Sequence, residues 1–189
     1  MTTKAQELKK KKKKWIPILA GKEFNNQEIG ETYLEEPEQA LGRFVEANLM
    51  MLTRDSKKQN FNVKFKISEV KNNQAYAELI GYSMQVAQLK RTTKKGKNKV
   101  DDSMGYKTKD DVNIVIKPIL ISKALTYKTT LKMLRQHTRG FLVNYTKNNT
   151  YANIMRDIVN GNLQKDIKGS LKKYYPVTSC IIKDAHKLK

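Results

Sequence analysis

The hydrophobic pattern changes its period once along this chain, near Thr126, and that change limits the fold more than any other feature. Before it, the clearest segment is "FNVKFKI" (Phe61 to Ile67), which sets Phe61, Val63, Phe65 and Ile67 on one face and Asn62, Lys64 and Lys66 on the other. Such alternation is what a strand with one buried face requires. "KNN" (Lys71 to Asn73) supplies turn chemistry, and "QAYAELIGY" (Gln74 to Tyr82) reads as the returning strand of a hairpin. Leu41 to Leu52 carries Val45, Ala47, Leu49 and Met51 in alternation and is expected to be another strand. A further pair is expected between Lys99–Lys107 and Val112–Ile121, turning at Asp110-Asp111. "VNIVIKPILI" is apolar on both faces, as a buried strand is, and Pro118 predicts a bulge or a place near an edge. Ser83 to Leu89 reads as a short helix.

Beyond Thr126 the period becomes about 3.6. Leu131, Leu134, Phe141, Leu142 and Tyr145 then share one face of a long helix. Thr150 has the character of an N-cap for a second helix, with Tyr151, Ile154, Met155 and Ile158 at core spacing and Gly161 as its stop. Leu163, Ile167 and Leu171 mark a third, and "YYPVTSCII" (Tyr174 to Ile182) breaks at Pro176 and returns to strand. Strands, then helices, then one closing strand describe an α+β fold. With 189 residues, 39% of them hydrophobic, the chain can build one well-packed core. The expected division is a disordered basic arm over residues 1–14 and a single domain over 15–189.

Charge is the second constraint. Thirty-eight Lys+Arg face 18 Asp+Glu, a net +20, and a polyanion is the natural partner of such a surface. Six consecutive lysines, Lys9, Lys10, Lys11, Lys12, Lys13 and Lys14, run straight into Trp15-Ile16-Pro17-Ile18-Leu19-Ala20. That apolar run is too short and too interrupted for a signal-peptide core, and no stretch approaches the length of a membrane span. Trp15, Ile16, Ile18 and Leu19 are therefore expected to dock on the body as an anchor for the arm. The lone cysteine, Cys180, excludes an internal disulfide and fits a reducing, soluble compartment.

Two further basic clusters stand out. The segment "KRTTKKGKNK", read as a loop over 90–99, supplies Lys90, Arg91, Lys94, Lys95, Lys97 and Lys99 with no apolar residue. Lys128, Lys132, Arg135 and Arg139 fall within roughly 60° of one another on the long helix, with no acidic residue three or four positions on to relieve them. Only six of the basic residues are arginines, which suits point contacts to phosphate better than bidentate reading of base edges. Backbone recognition of a folded RNA is the expectation. By contrast, residues 15–53 carry two basic and seven acidic residues, concentrated in "EIGETYLEEPEQ". Such an island turns away from a polyanion and suits a basic protein.

Chemistry of catalysis is thinly represented. His137 and His186 sit in no metal spacing with Cys180 or paired carboxylates, and His137 reads as a helix-surface residue. No glycine-rich phosphate loop is present, and Asp101-Asp102 and Asp110-Asp111 read as turn residues rather than a two-metal site. A free-standing DNA- or chromatin-binding protein remains the main alternative, and an enzyme acting on nucleic acid ranks below it.

Several stretches, in order along the chain, carry a resemblance. These are "KKWIPILAGKEFNNQEIGET", "LGRFVEANL", the strands with "VKFKI" and "AYAELIGY", "VNIVIKP", the basic helix and "LQKDIKGSLKKYYPV". From about Lys14 to Leu188 the chain resembles the S3Ae family of archaeal and eukaryotic small-subunit ribosomal proteins, in its shorter, archaeal form. It departs from that pattern at Ala20-Gly21, where relatives carry Ala-Pro, and after Gly81-Tyr82, where Ser83-Met84-Gln85-Val86 replaces an expected Thr-Arg-Asp segment. The resemblance implies a curved, barrel-like antiparallel β core flanked by C-terminal helices. It also implies an rRNA-bound protein of the ribosomal platform near the mRNA exit, in the cytoplasm, without enzymatic activity, cofactor or metal. The partners implied are small-subunit rRNA and neighbouring small-subunit proteins, with mRNA near the exit as an open further one, and neither a membrane nor a homo-oligomer.

Overall fold

A computed structural model describes residues 12–188. Among them, nine strands and five α-helices alternate in the order β1 (Lys14–Ala20), β2 (Glu28–Leu34), β3 (Phe44–Asn48), α1 (Leu49–Thr53), β4 (Phe61–Lys71), β5 (Gln74–Met84), α2 (Val86–Thr92), β6 (Lys99–Asp101), β7 (Met104–Lys107), β8 (Asn113–Ser122), α3 (Lys128–Asn148), α4 (Tyr151–Asn160), α5 (Asn162–Leu171) and β9 (Val177–Lys187). The expected α+β class, C-terminal helices and closing C-terminal strand are all present. The strands form one sheet in the order β2-β1-β5-β9-β8-β6, with β3 and β4 continuing from β5 and β7 sharing β8. The sheet does not close on itself, and it is mixed: β1 runs parallel to β5, Ile18 facing Ala75 and Ala20 facing Ala77.

The chain divides into two compact units, one of residues up to Val45 with Phe65–Leu79, the other of Glu46–Lys64 with everything from Ile80 onward. In the first, β1 and β2 form an antiparallel ribbon from Lys14↔Leu34 to Leu19↔Glu28. Alternation along β1 buries Ile16, Ile18 and Ala20 at 2%, 3% and 0% exposure. It leaves Trp15 64% exposed and Leu19 half-buried. Of the four expected anchor residues, Ile16 and Ile18 are thus buried, Leu19 is half-buried and Trp15 is exposed. A strand sends neighbouring side chains to opposite faces, so Trp15 and Ile16 are unable to dock together. Lys14 belongs to β1 rather than to an arm.

The β4–β5 hairpin turns at Asn72 and Asn73, whose φ values of 50° and 58° are the pair a two-residue type I′ turn needs. Asparagine tolerates that left-handed region better than other non-glycine residues. The expected strand over Leu41–Leu52 ends early, at Asn48. Its side-chain oxygen accepts from Met50 N–H at 2.9 Å and starts the short helix α1 instead.

In the second unit, β8 is the spine. Ile114, Ile116 and Ile119 are fully buried, and β9 pairs along its whole length with a register shift at Lys117/Pro118, the bulge that the proline predicted. The three helices bury Leu134 and Leu142 from α3, Ile154, Met155 and Ile158 from α4, and Leu163, Ile167 and Leu171 from α5. Thr150 caps α4 by accepting from Asn153 N–H. Gly161, at φ 79°, ends it by donating to the Asp157 and Ile158 carbonyls. The α3 core seam is Leu134-Thr138-Leu142-Thr146, whereas Leu131, Phe141 and Tyr145 are only half-buried. Both threonine hydroxyls donate to the carbonyl four residues back, which removes the cost of burying them.

Candidate nucleic-acid interface

Pro118 organises this region from inside the sheet. The expected strand over Lys99–Lys107 is split: β6 pairs with Ile119–Ile121 and β7 with Asn113–Ile116, so the break falls opposite Lys117 and Pro118. A proline lacks the N–H that would continue the ladder. Asp102 N–H donates to the Pro118 carbonyl at 3.2 Å, and its side chain is freed to leave the sheet.

That side chain meets α3. Arg139 Nε and Nη2 donate to the two oxygens of Asp102 at 2.6 and 2.7 Å, a bidentate pair whose carboxylate is 12% exposed. The guanidinium hydrogen bonds hold the Asp102 carboxyl below its ordinary range, against the opposing effect of burial. Arg139 is thus paired with Asp102, while its side chain stays 43% exposed. The counter-charge comes from another element, not from a helical neighbour. Lys128, Lys132 and Arg135 on the same stripe are exposed, with Arg135 also reaching the Asp101 carbonyl at 3.5 Å.

The second basic cluster is only partly a loop. Helix α2 extends to Thr92, carrying Lys90 and Arg91 in its last turn, and Lys99 opens β6, so the connecting segment is residues 93–98. Lys90, Arg91, Lys94 and Lys95 are exposed. Asn98 fastens the segment's end: its N–H donates to Ser122 Oγ, and its side-chain oxygen accepts from Thr126 N–H, two residues ahead of α3. The Lys94–Lys99 segment is thereby held at the N-terminal end of the helix that displays Lys128, Lys132 and Arg135.

A third element joins them. Lys97 Nζ donates to Thr178 Oγ1 at 3.4 Å, and Lys168 Nζ of α5 donates to the Thr178 carbonyl at 2.8 Å. Lys165, Lys168 and Lys172 are all exposed on α5, away from Leu163, Ile167 and Leu171. The sequence reading did not select them, although their spacing of three and four residues is the signal that selected the α3 stripe. Lys97 and Lys168 thus meet at Thr178, and Asn98 ties the same segment to the residues just ahead of α3. Of the N-terminal run, Lys12, Lys13 and Lys14 are exposed, and Lys9, Lys10 and Lys11 lie outside the described residues.

The remaining candidate residues have structural partners. Asp111, at φ 59°, turns β7 into β8 and pairs with Lys107, while Asp110 accepts from Tyr151 N–H at the start of α4. His137 stacks on Tyr174 with ring centroids 3.8 Å apart. Burial pushes the Cys180 thiol up to about 12, far from a reactive thiolate. Among the described residues, no cluster of three His, Cys, Asp or Glu side chains is arranged to hold a metal, and no helix is long and apolar enough to cross a membrane.

Comparison with known proteins finds relatives that cover nearly the full chain. "Small ribosomal subunit protein eS1" of Halorubrum lacusprofundi is 31% identical over 177 residues, covering 94% of this chain and 82% of that protein. The protein of the same name from Nanoarchaeum equitans is 32% identical over 166 residues, 88% of this chain and 84% of its own length. That from Haloarcula marismortui is 27% identical over 183 residues, 97% and 86% of the two chains. Residues 2–189 match the Ribosomal S3Ae family, and the chain belongs to it.

Proposed function

We propose that this chain is a structural component of the small ribosomal subunit that binds rRNA through the surface shared by residues 94–99, α3 and α5. The observation that carries the reading is the convergence of Lys94, Lys95, Lys97, Lys128, Lys132, Arg135 and Lys168 on linked elements of one unit. Cations from distant segments, fixed to a sheet and helices, can hold several phosphates of a folded backbone at once. Family membership supports the ribosomal context; a place on the platform near the mRNA exit and contact with neighbouring subunit proteins are part of the proposal. The lysines ahead of Trp15 extend the same chemistry toward a second stretch of phosphate.

The test has two arms. The chain should co-sediment with small subunits through a moderate-salt gradient, and a DNA-binding protein would instead follow DNA and be released by DNase. In filter binding to small-subunit rRNA, the pair Lys132→Gln and Arg135→Gln should weaken affinity and reduce the salt slope by about one per side chain replaced. An unchanged slope would remove this surface from the interface.

A further inference from the structure

The outer face of the β1–β2 ribbon has the opposite character from the basic surface. Trp15 and Tyr33 are directly paired across the two strands, with ring centroids 4.9 Å apart and planes tilted by 40°, yet they are 64% and 50% exposed. Glu31 lies two residues from Tyr33 and therefore on the same face, opposite half-buried Pro17. Glu28 faces Leu19 further along the ribbon, and Glu35 follows the end of β2. Arg43 reaches this ribbon at Thr32, whose partner is buried Ile16, and so from the other face. The last element of the site is backbone. Among the described residues β2 is terminal in the strand order and pairs with β1 alone, so its other edge presents N–H and C=O groups that no described strand takes up.

We propose that this edge and face dock an extended, arginine- and lysine-rich segment of a neighbouring protein. The inference rests on the ribosomal reading only for the source of that neighbour. Charge decides the occupant: residues 15–53 hold seven acidic against two basic side chains in a chain of net +20. Beyond the Lys12–Lys14 end of the ribbon the carboxylates of Glu28, Glu31 and Glu35 disfavour phosphate, whereas a guanidinium or ammonium finds them together with ring faces at Trp15 and Tyr33. An added strand on β2 would satisfy the open edge while alternate side chains cross the aromatic pair. Tryptophan and tyrosine on a rigid strand are also the residues that dominate binding energy in protein interfaces.

Trp15 is the only tryptophan, so the site carries its own reporter. The full chain is titrated with a synthetic peptide of alternating arginine and threonine, and Trp15 emission is followed. A saturable blue shift is expected. Tyr33→Ala and Glu31→Gln should each weaken it about three- to ten-fold, and Tyr33→Phe should retain it. The pair Lys132→Gln and Arg135→Gln should weaken rRNA binding and leave the peptide titration unchanged, so either reading can fail while the other stands. Three results would overturn the proposal: a shift produced by an rRNA fragment and not by the peptide, a peptide response indifferent to Glu31→Gln, or a response that appears only after residues 1–13 are deleted. The last would assign the face to the chain's own lysines.

Discussion

The α3 stripe and the β1 strand each presented four residues as one functional set, and the structure divides both sets. On α3, Lys128, Lys132 and Arg135 stay exposed while Arg139 is taken by Asp102. On β1, Ile16 and Ile18 enter the core while Trp15 and Leu19 do not. The divisions have different causes. Along the strand the period of two separates adjacent residues whatever lies nearby. Along the helix all four cations share one face, and a carboxylate from another element singles one out. A side chain's role thus follows from local geometry in the first case and from what packs opposite it in the second.

The largest expected effect tests the helix side of this comparison. If the exposed cations on α3, α5 and residues 94–99 neutralise roughly 6–10 phosphates, affinity for rRNA should fall about 10³–10⁵-fold between 50 and 200 mM salt. A flat dependence in filter binding would show that lysine contacts do not carry the interaction, and the division of the stripe would lose its functional meaning.

The next effect tests the strand. Ile16→Ala removes a fully packed side chain at 2% exposure and should cost about 2–5 kcal/mol in denaturant unfolding. Equal costs at Ile16 and Trp15 would contradict the alternation.

Within the helix stripe, Arg139→Gln should lower the thermal midpoint by a few degrees, and Lys132→Gln should not move it, although each removes one positive charge. The difference is also pH-dependent. Because the folded carboxyl of Asp102 titrates below its unfolded value, its stabilising contribution is present above the unfolded value. It is lost as pH falls through the folded one. The gap between wild type and Asp102→Asn should therefore close in acid, and a gap that persists there would assign it to packing.

The smallest effect belongs to Trp15→Ala, expected within about 0.5 kcal/mol because the ring is largely in water. Its emission in the free chain should already lie near the solvent-exposed position. A strongly blue-shifted maximum would mean that the face is covered without any partner.

How legible all this was depended on the range of the interaction. The hairpin at Asn72-Asn73, the Thr150 cap and the Gly161 stop were all readable, because each is set by residues within a few positions of one another. Leu131, Phe141 and Tyr145 were over-read as core and Thr138 and Thr146 missed, since hydrophobicity hides a hydroxyl that bonds its own helix. Asn48 looked like one more strand residue until its cap was formed.

The sequence by itself determined the α+β class, the order of strands before helices, the family, and the excess of positive charge. Class, order and charge reside in periodicity and composition and the family in the order of its motifs along the chain, all of which survive any arrangement of the elements. Only the tertiary structure decided which charges remain available. Pro118 breaks the β6–β7 strand, the break releases Asp102, and Asp102 captures Arg139 from a helix 37 positions away in sequence. The same long-range packing brings Lys97 and Lys168 to Thr178. Ion pairing depends on distance in space, and a linear pattern does not encode that distance.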